Sequence, residues 1–176
     1  VVYPTLTGRA TFYVDHPWFI EAGEQLPTHK PAPGTGGPGR EFVLSGGHPR
    51  WSIHACNATN PVILQTTRGH PTLVVNRAVA AAKNIGDDER VRVFNDLGSF
   101  VVQARLSPTV RPGQVILYAS WEAYGFEQWA DATQVEAGMV KWLHLVTGWG
   151  HLRYTPFQWQ PAPFDRLTRV DIEAAG

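Results

Sequence analysis

A short loop in the first third of the chain carries the side chains best suited to chemistry. It follows the apolar run 41–44 and has the sequence Ser45-Gly-Gly-His-Pro-Arg-Trp-Ser-Ile-His54. Two glycines after a strand let backbone approach a bound group closely, because no Cβ intervenes. The imidazoles, guanidinium and hydroxyl that follow offer many donors and few negative charges, which suits a phosphorylated, polar ring system. A surface loop whose side chains cap neighbouring backbone explains the same residues equally well.

Two other kinds of site are less well supported here. His48 and His54 lie six residues apart, with no Cys or acidic side chain close by to complete a set of metal ligands. Ser52 and His54 lack the strand–Gly-x-Ser-x-Gly–helix turn of a hydrolase triad. The Gly/Pro-rich stretch 32–39 lacks the strand and helix that flank a phosphate loop, so it is predicted to be a connector. No catalytic residue and no metal ligand is predicted.

The elements that must position this loop follow it along the chain. Alternating apolar residues predict half-buried strands. The predicted strands are 72–76, 90–94, 99–106 and 115–118, after an earlier one at 41–44. A hairpin turn at 95–98 is predicted from residues that tolerate positive φ, and Pro112-Gly113 predicts a type II turn. With an alanine-rich helical segment at 77–83, this order predicts a small β-barrel with little helix.

The flanking segments complete the predicted organisation. A strand at 9–14 leads towards the Gly/Pro-rich connector, and Asn60-Pro61 begins a short helix that ends at Gly69. Helical spacing predicts a helix over 133–145, and alternation predicts a final barrel strand at 167–173. We expect one structural domain, with 1–40 as lead-in strand and connector and 41–176 as the barrel.

Composition excludes several classes of function. The formal net charge is zero, which argues against a polyanion-binding surface, so no nucleic-acid partner is predicted. The single cysteine, Cys56, excludes an internal disulfide or a multi-thiolate site, and we expect it to be a small buried apolar residue. No apolar run approaches ~18 residues, so no membrane span is predicted. The start at Val1, without Met or a signal-like segment, favours a piece of a longer polypeptide and leaves the compartment unpredicted.

Five short motifs, in this order, resemble a known family. They are Val74-Val-Asn76, Ile85-Gly-Asp87, Val91-Arg-Val-Phe-Asn95, Gly98 and Arg111-Pro-Gly-Gln-Val115. Together they resemble the C-terminal molybdopterin-dinucleotide-binding domain of the dimethyl sulfoxide reductase family. The resemblance implies a mainly β fold, a double-psi β-barrel with a few short helices and long loops. Residues 9–30 resemble more narrowly the branch that holds ethylbenzene dehydrogenase, selenate reductase and membrane-bound respiratory nitrate reductase.

The resemblance also gives the glycine-containing loop a role. In this family, the loop after the first barrel strand reaches the pyranopterin of the molybdenum cofactor. The cofactor contacts implied for this chain are His48, Arg50, Trp51, Ser52, Ile53, His54, Asn57, His151 and Arg153. Ile53 would contribute its backbone, and Arg50 is the preferred phosphate partner because its planar fork matches two oxygens. His151 stands in a late loop where the family often has an amide-bearing residue.

By this resemblance the chain is a cofactor-binding domain, not catalytic alone, of a molybdenum-dependent oxidoreductase. The parent enzyme would be a hydroxylating dehydrogenase or an oxyanion reductase, periplasmic or cytoplasmic, in a bacterium or archaeon. It would use bis(molybdopterin guanine dinucleotide), with the iron–sulfur cluster and molybdenum ligand outside these residues. Its partners would be the remainder of the catalytic subunit and an iron–sulfur electron-transfer subunit. The alternatives are a stand-alone small barrel subunit of a molybdenum or tungsten enzyme, and an interaction module without cofactor.

Overall fold

A computed structural model describes only part of the chain. The described residues are 2–3, 7–10, 12–15, 17–21, 23, 25–26, 37–53, 56–119, 121–136 and 168–176. Contacts divide the chain into two compact units, one formed by 1–32 and 138–163 and the other by 33–137 and 164–176. The predicted boundary at residue 40 and the single-domain organisation stay predictions.

The first unit contributes little regular structure among its described residues. A single-turn helix, α1, spans Pro17–Glu21. Residues 7–10 and 12–15 form turns and bends, so the strand predicted at 9–14 is wrong for the described residues there. The Val14 N–H donates to the Gln25 carbonyl over 2.9 Å, a contact that period-two alternation does not reveal.

The second unit is a closed, six-stranded barrel. Its strands are β1 (Phe42–Ser45), β2 (Thr72–Asn76), β3 (Arg90–Phe94), β4 (Ser99–Ser107), β5 (Gln114–Leu117) and β6 (Arg169–Ala174). They lie in the order β1-β5-β2-β4-β3-β6 around the barrel. The pairs β1/β5 and β2/β4 are parallel, and the remaining pairs are antiparallel. This architecture confirms the prediction of a mainly β barrel of the double-psi class with few short helices.

The alternation of side chains along the strands determines which of them fill the core of the barrel. On β4, Phe100, Val102 and Ala104 are buried, while the residues between them face outwards, which agrees with the alternation expected of a half-buried strand. The antiparallel register sets Val102 opposite Val91 and Phe100 opposite Val93, and all four side chains fill the barrel interior. Such cross-strand apolar pairs are the main stabilising contacts of a sheet.

In the described part of the barrel unit, two α-helices connect strands. Helix α2 spans Pro61–Thr66, and the Asn60 side chain accepts the Val62 N–H over 2.9 Å, which confirms the predicted start. Helix α3 spans Arg77–Ala82 and is capped in the same way by Asn76. Among the described residues 121–136, which follow β5, three 3₁₀ turns lie at Ala123–Gly125, Glu127–Trp129 and Ala132–Gln134.

The later part of the chain contains one predicted helix and one predicted strand. The helix predicted over 133–145 is wrong for its described residues, because the 3₁₀ turn that includes 133 ends at Gln134. The rest of that range lies outside the described residues. The final strand is confirmed as β6, two residues later than its predicted start. Within the described ranges, no helix combines the length and apolar character needed to cross a membrane.

The β3–β4 hairpin turn forms without positive φ at any of its residues, 95–98. Instead, the Asn95 Oδ1 atom accepts the N–H groups of Leu97 and Gly98 over 2.9 and 3.3 Å. Gly98 is required by packing, because a Cβ there would lie 2.6 Å from the Gln134 carbonyl oxygen. The expectation that φ tolerance selects these residues is therefore wrong, although the turn itself is present.

The turn before β5 has the predicted position but not the predicted type. The Gln114 N–H donates to the Arg111 carbonyl over 3.0 Å, which closes a turn around Pro112 and Gly113. Gly113 does not adopt the positive φ that the second central residue of a type II turn needs.

The Asn95 side chain also makes hydrogen bonds outside the hairpin turn. Its buried amide nitrogen donates to the Val135 carbonyl over 2.7 Å and to the Arg169 carbonyl over 3.1 Å. One side chain thus joins the hairpin, the last 3₁₀ turn and the start of β6.

We expect Asn95→Asp to lower the free energy of unfolding by about 1–3 kcal/mol. The substitution keeps the acceptor oxygen but replaces the donating nitrogen with an oxygen that faces two carbonyls. Chemical denaturation at neutral pH measures the effect, with Asn84→Asp in an exposed turn as the matched control. Equal stability of the two variants would contradict the role given to the Asn95 amide.

Candidate functional site

The loop that leaves β1 lies at the surface, with residues 45–53 half-buried or exposed. Hydrogen bonds hold its first part against β5 and against the residues that follow this strand. The Ala119 N–H donates to the Gly47 carbonyl over 2.8 Å, and the Gln114 side chain donates to the Ser45 hydroxyl over 2.8 Å. A Cβ at Gly47 would lie 3.3 Å from the Tyr118 ring, so this glycine permits close approach of an aromatic side chain.

Two neighbouring cavities open beside this loop. The first, called here the basic cavity, has a volume of about 350 Å³. Its charged and imidazole lining groups are His48, Arg50, His70 and Arg105. The second cavity, of about 380 Å³, lies between Gly46-Gly47 and the segment 131–136. Both cavities share His48, Tyr118 and Trp121.

The structure brings together three of the contacts implied by the sequence. His48, Arg50 and Trp51 all line the basic cavity. The Arg50 guanidinium carbon lies 4.9 Å from the centre of the Trp51 ring, a cation–π arrangement. The indole thereby positions the cation next to the cavity.

The other implied contacts do not line either cavity or cannot be placed. Ser52 is half-buried, and Ile53 is 70% exposed, with its carbonyl accepting the Cys56 N–H over 2.9 Å. Asn57 is exposed and has a φ of 67°. His54, His151 and Arg153 lie outside the described residues. Cys56 is exposed, so the expectation of a buried cysteine is wrong, because it lies in a turn outside the barrel.

Sequence reasoning missed several lining residues, above all His70, Arg105, Tyr118 and Trp121. Arg105 belongs to the strand predicted at 99–106, but the strand that lies beside it depends on barrel order rather than on local sequence. His70 sits in the connection between α2 and β2, where no motif marked it. Among the described residues, no group of three or more His, Cys, Asp and Glu side chains is arranged to hold a metal ion.

A charged cluster supports one side of the basic cavity. Arg68 donates to the Asp87 carboxylate over 3.0 Å, and the His70 Nε2 atom lies 3.2 Å from an Asp88 oxygen. The second Asp87 oxygen accepts the Leu106 N–H over 2.9 Å. The hydrogen bond from Arg68, followed by that from Leu106, holds the pKa of Asp87 below its usual value. The cluster ties the turn before β3 to the connection that carries His70.

We expect the stabilisation by Asp87 to be present above about pH 4 and to be lost as the pH falls through its lowered folded-state pKa. Stability is lost on acidification because the ionised carboxylate accepts these hydrogen bonds in the folded state, and protonation weakens them. The difference in unfolding free energy between the wild type and Asp87→Asn, measured at pH 7, 5 and 3, should shrink at the lowest pH. A difference that stays constant over this range would contradict the assignment.

Comparison with known proteins places this site in a family. The family model described as molydopterin dinucleotide binding domain matches residues 42–146. The alpha subunit of dimethylsulfide dehydrogenase from Rhodovulum sulfidophilum is 36% identical over 173 residues, covering 98% of this chain and 19% of that protein. The respiratory nitrate reductase alpha subunit from Haloferax mediterranei is 34% identical over 178 residues, covering 99% of this chain and 18% of that protein.

A third relative and one solved structure also resemble this chain. The chlorate reductase alpha subunit from Ideonella dechloratans is 34% identical over 174 residues, covering 98% of this chain and 19% of that protein. This chain therefore spans less than a fifth of the length of these three relatives. Acetylene hydratase from Pelobacter acetylenicus shares the fold, with a TM-score of 0.63 at 13% identity over 96% of this chain and 24% of that structure. The chain thus belongs to the molybdopterin-dinucleotide-binding domain family found in enzymes of the dimethyl sulfoxide reductase type, as its five motifs predicted.

Proposed function

We propose that this chain supplies one part of the binding site for bis(molybdopterin guanine dinucleotide) in a molybdenum-dependent oxidoreductase, and that it is not catalytic alone. The observation that carries the proposal is the basic cavity, in which His48, Arg50 and Trp51 meet at the end of the barrel. Membership of the family gives the ligand class, and the cavity gives the place where this chain would contact it.

The lining groups fit the chemistry of such a ligand. A molybdopterin dinucleotide combines flat, nitrogen-rich rings with a diphosphate bridge. Trp51, Tyr118 and Trp121 offer aromatic surface for the rings, while guanidinium and imidazole groups offer donors for anionic oxygens. When bound, the cofactor supplies the redox-active molybdenum centre, whereas the residues of this chain bind and orient its organic part.

His48 has a distinctive place in this proposal, because it lines both cavities. A ligand that extends from one cavity to the other passes this side chain. Ser52, the Ile53 backbone and Asn57 remain proposed contacts from the same loop region. His54, His151 and Arg153 remain proposed contacts on the family resemblance alone.

The relatives guide the proposal for the whole enzyme. They are named as dimethylsulfide dehydrogenase and as nitrate and chlorate reductases. We therefore propose a parent activity of the same kind, either an oxyanion reductase or a dehydrogenase. The remainder of the catalytic subunit and an iron–sulfur electron-transfer subunit are the proposed partners.

We expect the purified protein to bind molybdopterin guanine dinucleotide, and His48→Ala to weaken that binding about tenfold. A lost hydrogen bond to a charged or polar ligand group has roughly this effect on the dissociation constant. Anaerobic titration calorimetry measures both affinities.

The control is Val62→Ala on the exposed face of α2, where the side chain is 68% exposed and lines neither cavity. This variant should bind like the wild type. Absence of binding by the wild type would count against the proposed function and favour an interaction module. Unchanged binding by His48→Ala would remove His48 from the site.

A further inference from the structure

The basic cavity is lined by guanidinium and imidazole groups. Arg50 and Arg105 contribute guanidinium groups, and His48 and His70 contribute imidazoles. Among the described residues that line it, none is Asp or Glu. A concave surface with cations and without carboxylates favours an anionic ligand, because a cleft lined by one sign of charge raises the local concentration of the opposite charge.

Several polar groups of this cavity are already engaged. The Thr66 and Thr67 hydroxyls donate to the Ile63 carbonyl over 2.7 and 3.1 Å. The two ring nitrogens of His70 lie 3.2 Å from the Pro71 carbonyl oxygen and 3.2 Å from Asp88. These side chains would have to give up a protein contact before they could donate to a ligand.

Arg50 and Arg105 share with Arg77, Arg111 and Arg169 the lack of an ion pair in the described part of the chain, but of these five only Arg50 and Arg105 line the basic cavity. Arg40, Arg68, Arg90 and Arg92 each pair with a carboxylate in the described part of the chain. Arg50 and Arg105 have neither a hydrogen bond from the guanidinium nor an ion pair within 4 Å among those residues. The neighbouring Asp87 attracts Arg105 at longer range, but its oxygens are taken by Arg68 and Leu106.

The orientation of Arg50 keeps its donors available. Its guanidinium carbon lies 4.9 Å from the centre of the Trp51 ring, and a cation–π contact of this kind does not use up the N–H donors of the guanidinium. Arg105 is exposed on the outer face of β4, where it lines the same cavity from the barrel side. The loop and the barrel thus each contribute one planar, permanently charged donor group.

We propose that Arg50 and Arg105 form a clamp for the diphosphate bridge of the bound dinucleotide. The inference rests on the proposed function and adds a subsite to it. A diphosphate carries two neighbouring phosphoryl groups, and each guanidinium fork can bind two oxygens at once. The rings on either side of the bridge would then extend from the clamp towards the aromatic lining groups.

The clamp is tested by calorimetric titration of the purified, nucleotide-free protein with inorganic pyrophosphate, GDP, GMP and guanosine. Pyrophosphate and GDP should bind, GMP more weakly, and guanosine least. Arg50→Gln and Arg105→Gln should each weaken pyrophosphate and GDP binding about tenfold, because glutamine keeps a hydrogen-bonding amide but removes the charge and the fork. Added salt should weaken the wild-type binding.

Arg77→Gln is the matched control, because Arg77 is exposed at the start of α3 and lines neither cavity. It should bind pyrophosphate like the wild type. Equal losses in all three arginine variants would indicate a general effect of charge and would overturn the clamp. Pyrophosphate binding that is unchanged in Arg50→Gln and Arg105→Gln would also overturn it.

The same variants separate this inference from the proposed function. If molybdopterin guanine dinucleotide binds and Arg105→Gln leaves its affinity unchanged, the clamp is wrong and the proposed function stands. If pyrophosphate binds through both arginines but the dinucleotide does not bind, the cavity serves free phosphate compounds and both proposals fail. Tenfold losses for both ligands in both variants, with none in Arg77→Gln, would support the clamp.

Discussion

The parallel pairing of β1 with β5 is the constraint on which the candidate site depends. The register sets Val43 opposite Gln114 and Ser45 opposite Ile116, so both strands end at the same rim of the barrel. The loop after β1 and the residues after β5 therefore leave the barrel side by side. Because β2 runs antiparallel to β5, with Leu73 opposite Leu117, the start of β2 reaches that rim as well. Three segments distant in sequence thus enclose one cavity.

The parallel β2/β4 pair brings Arg105 into the same neighbourhood. Thr72 lies opposite Gln103 and Val74 opposite Arg105, so the outer face of β4 lies beside the start of β2. Alternation puts Arg105 on the face of β4 opposite to Phe100, Val102 and Ala104, because the period of a strand is local. It does not predict which strand lies beside β4, because barrel order is set by long-range pairing. This is why the loop residues of the candidate site could be predicted and the barrel residues could not.

The turns show the same division between local and long-range causes. Their positions were predictable, since Asn, Asp, Gly and Pro interrupt strands for local reasons. The reason for Gly98 was not predictable, because the atom that excludes a side chain there belongs to Gln134. Cys56 was misjudged for a related reason: cysteine is often buried, but burial depends on whether the segment joins the core. The exposed loop that carries Cys56 does not.

The contact between Gly98 and Gln134 links two surfaces that otherwise look independent. A side chain at Gly98 would have to displace the backbone of Gln134, and the nearby residues Thr133 and Glu136 line the second cavity. The dimensions of that cavity therefore depend partly on the absence of a side chain at Gly98, a residue that does not line the cavity. Evolution could reshape the cavity through the hairpin tip without changing any residue that faces the cavity.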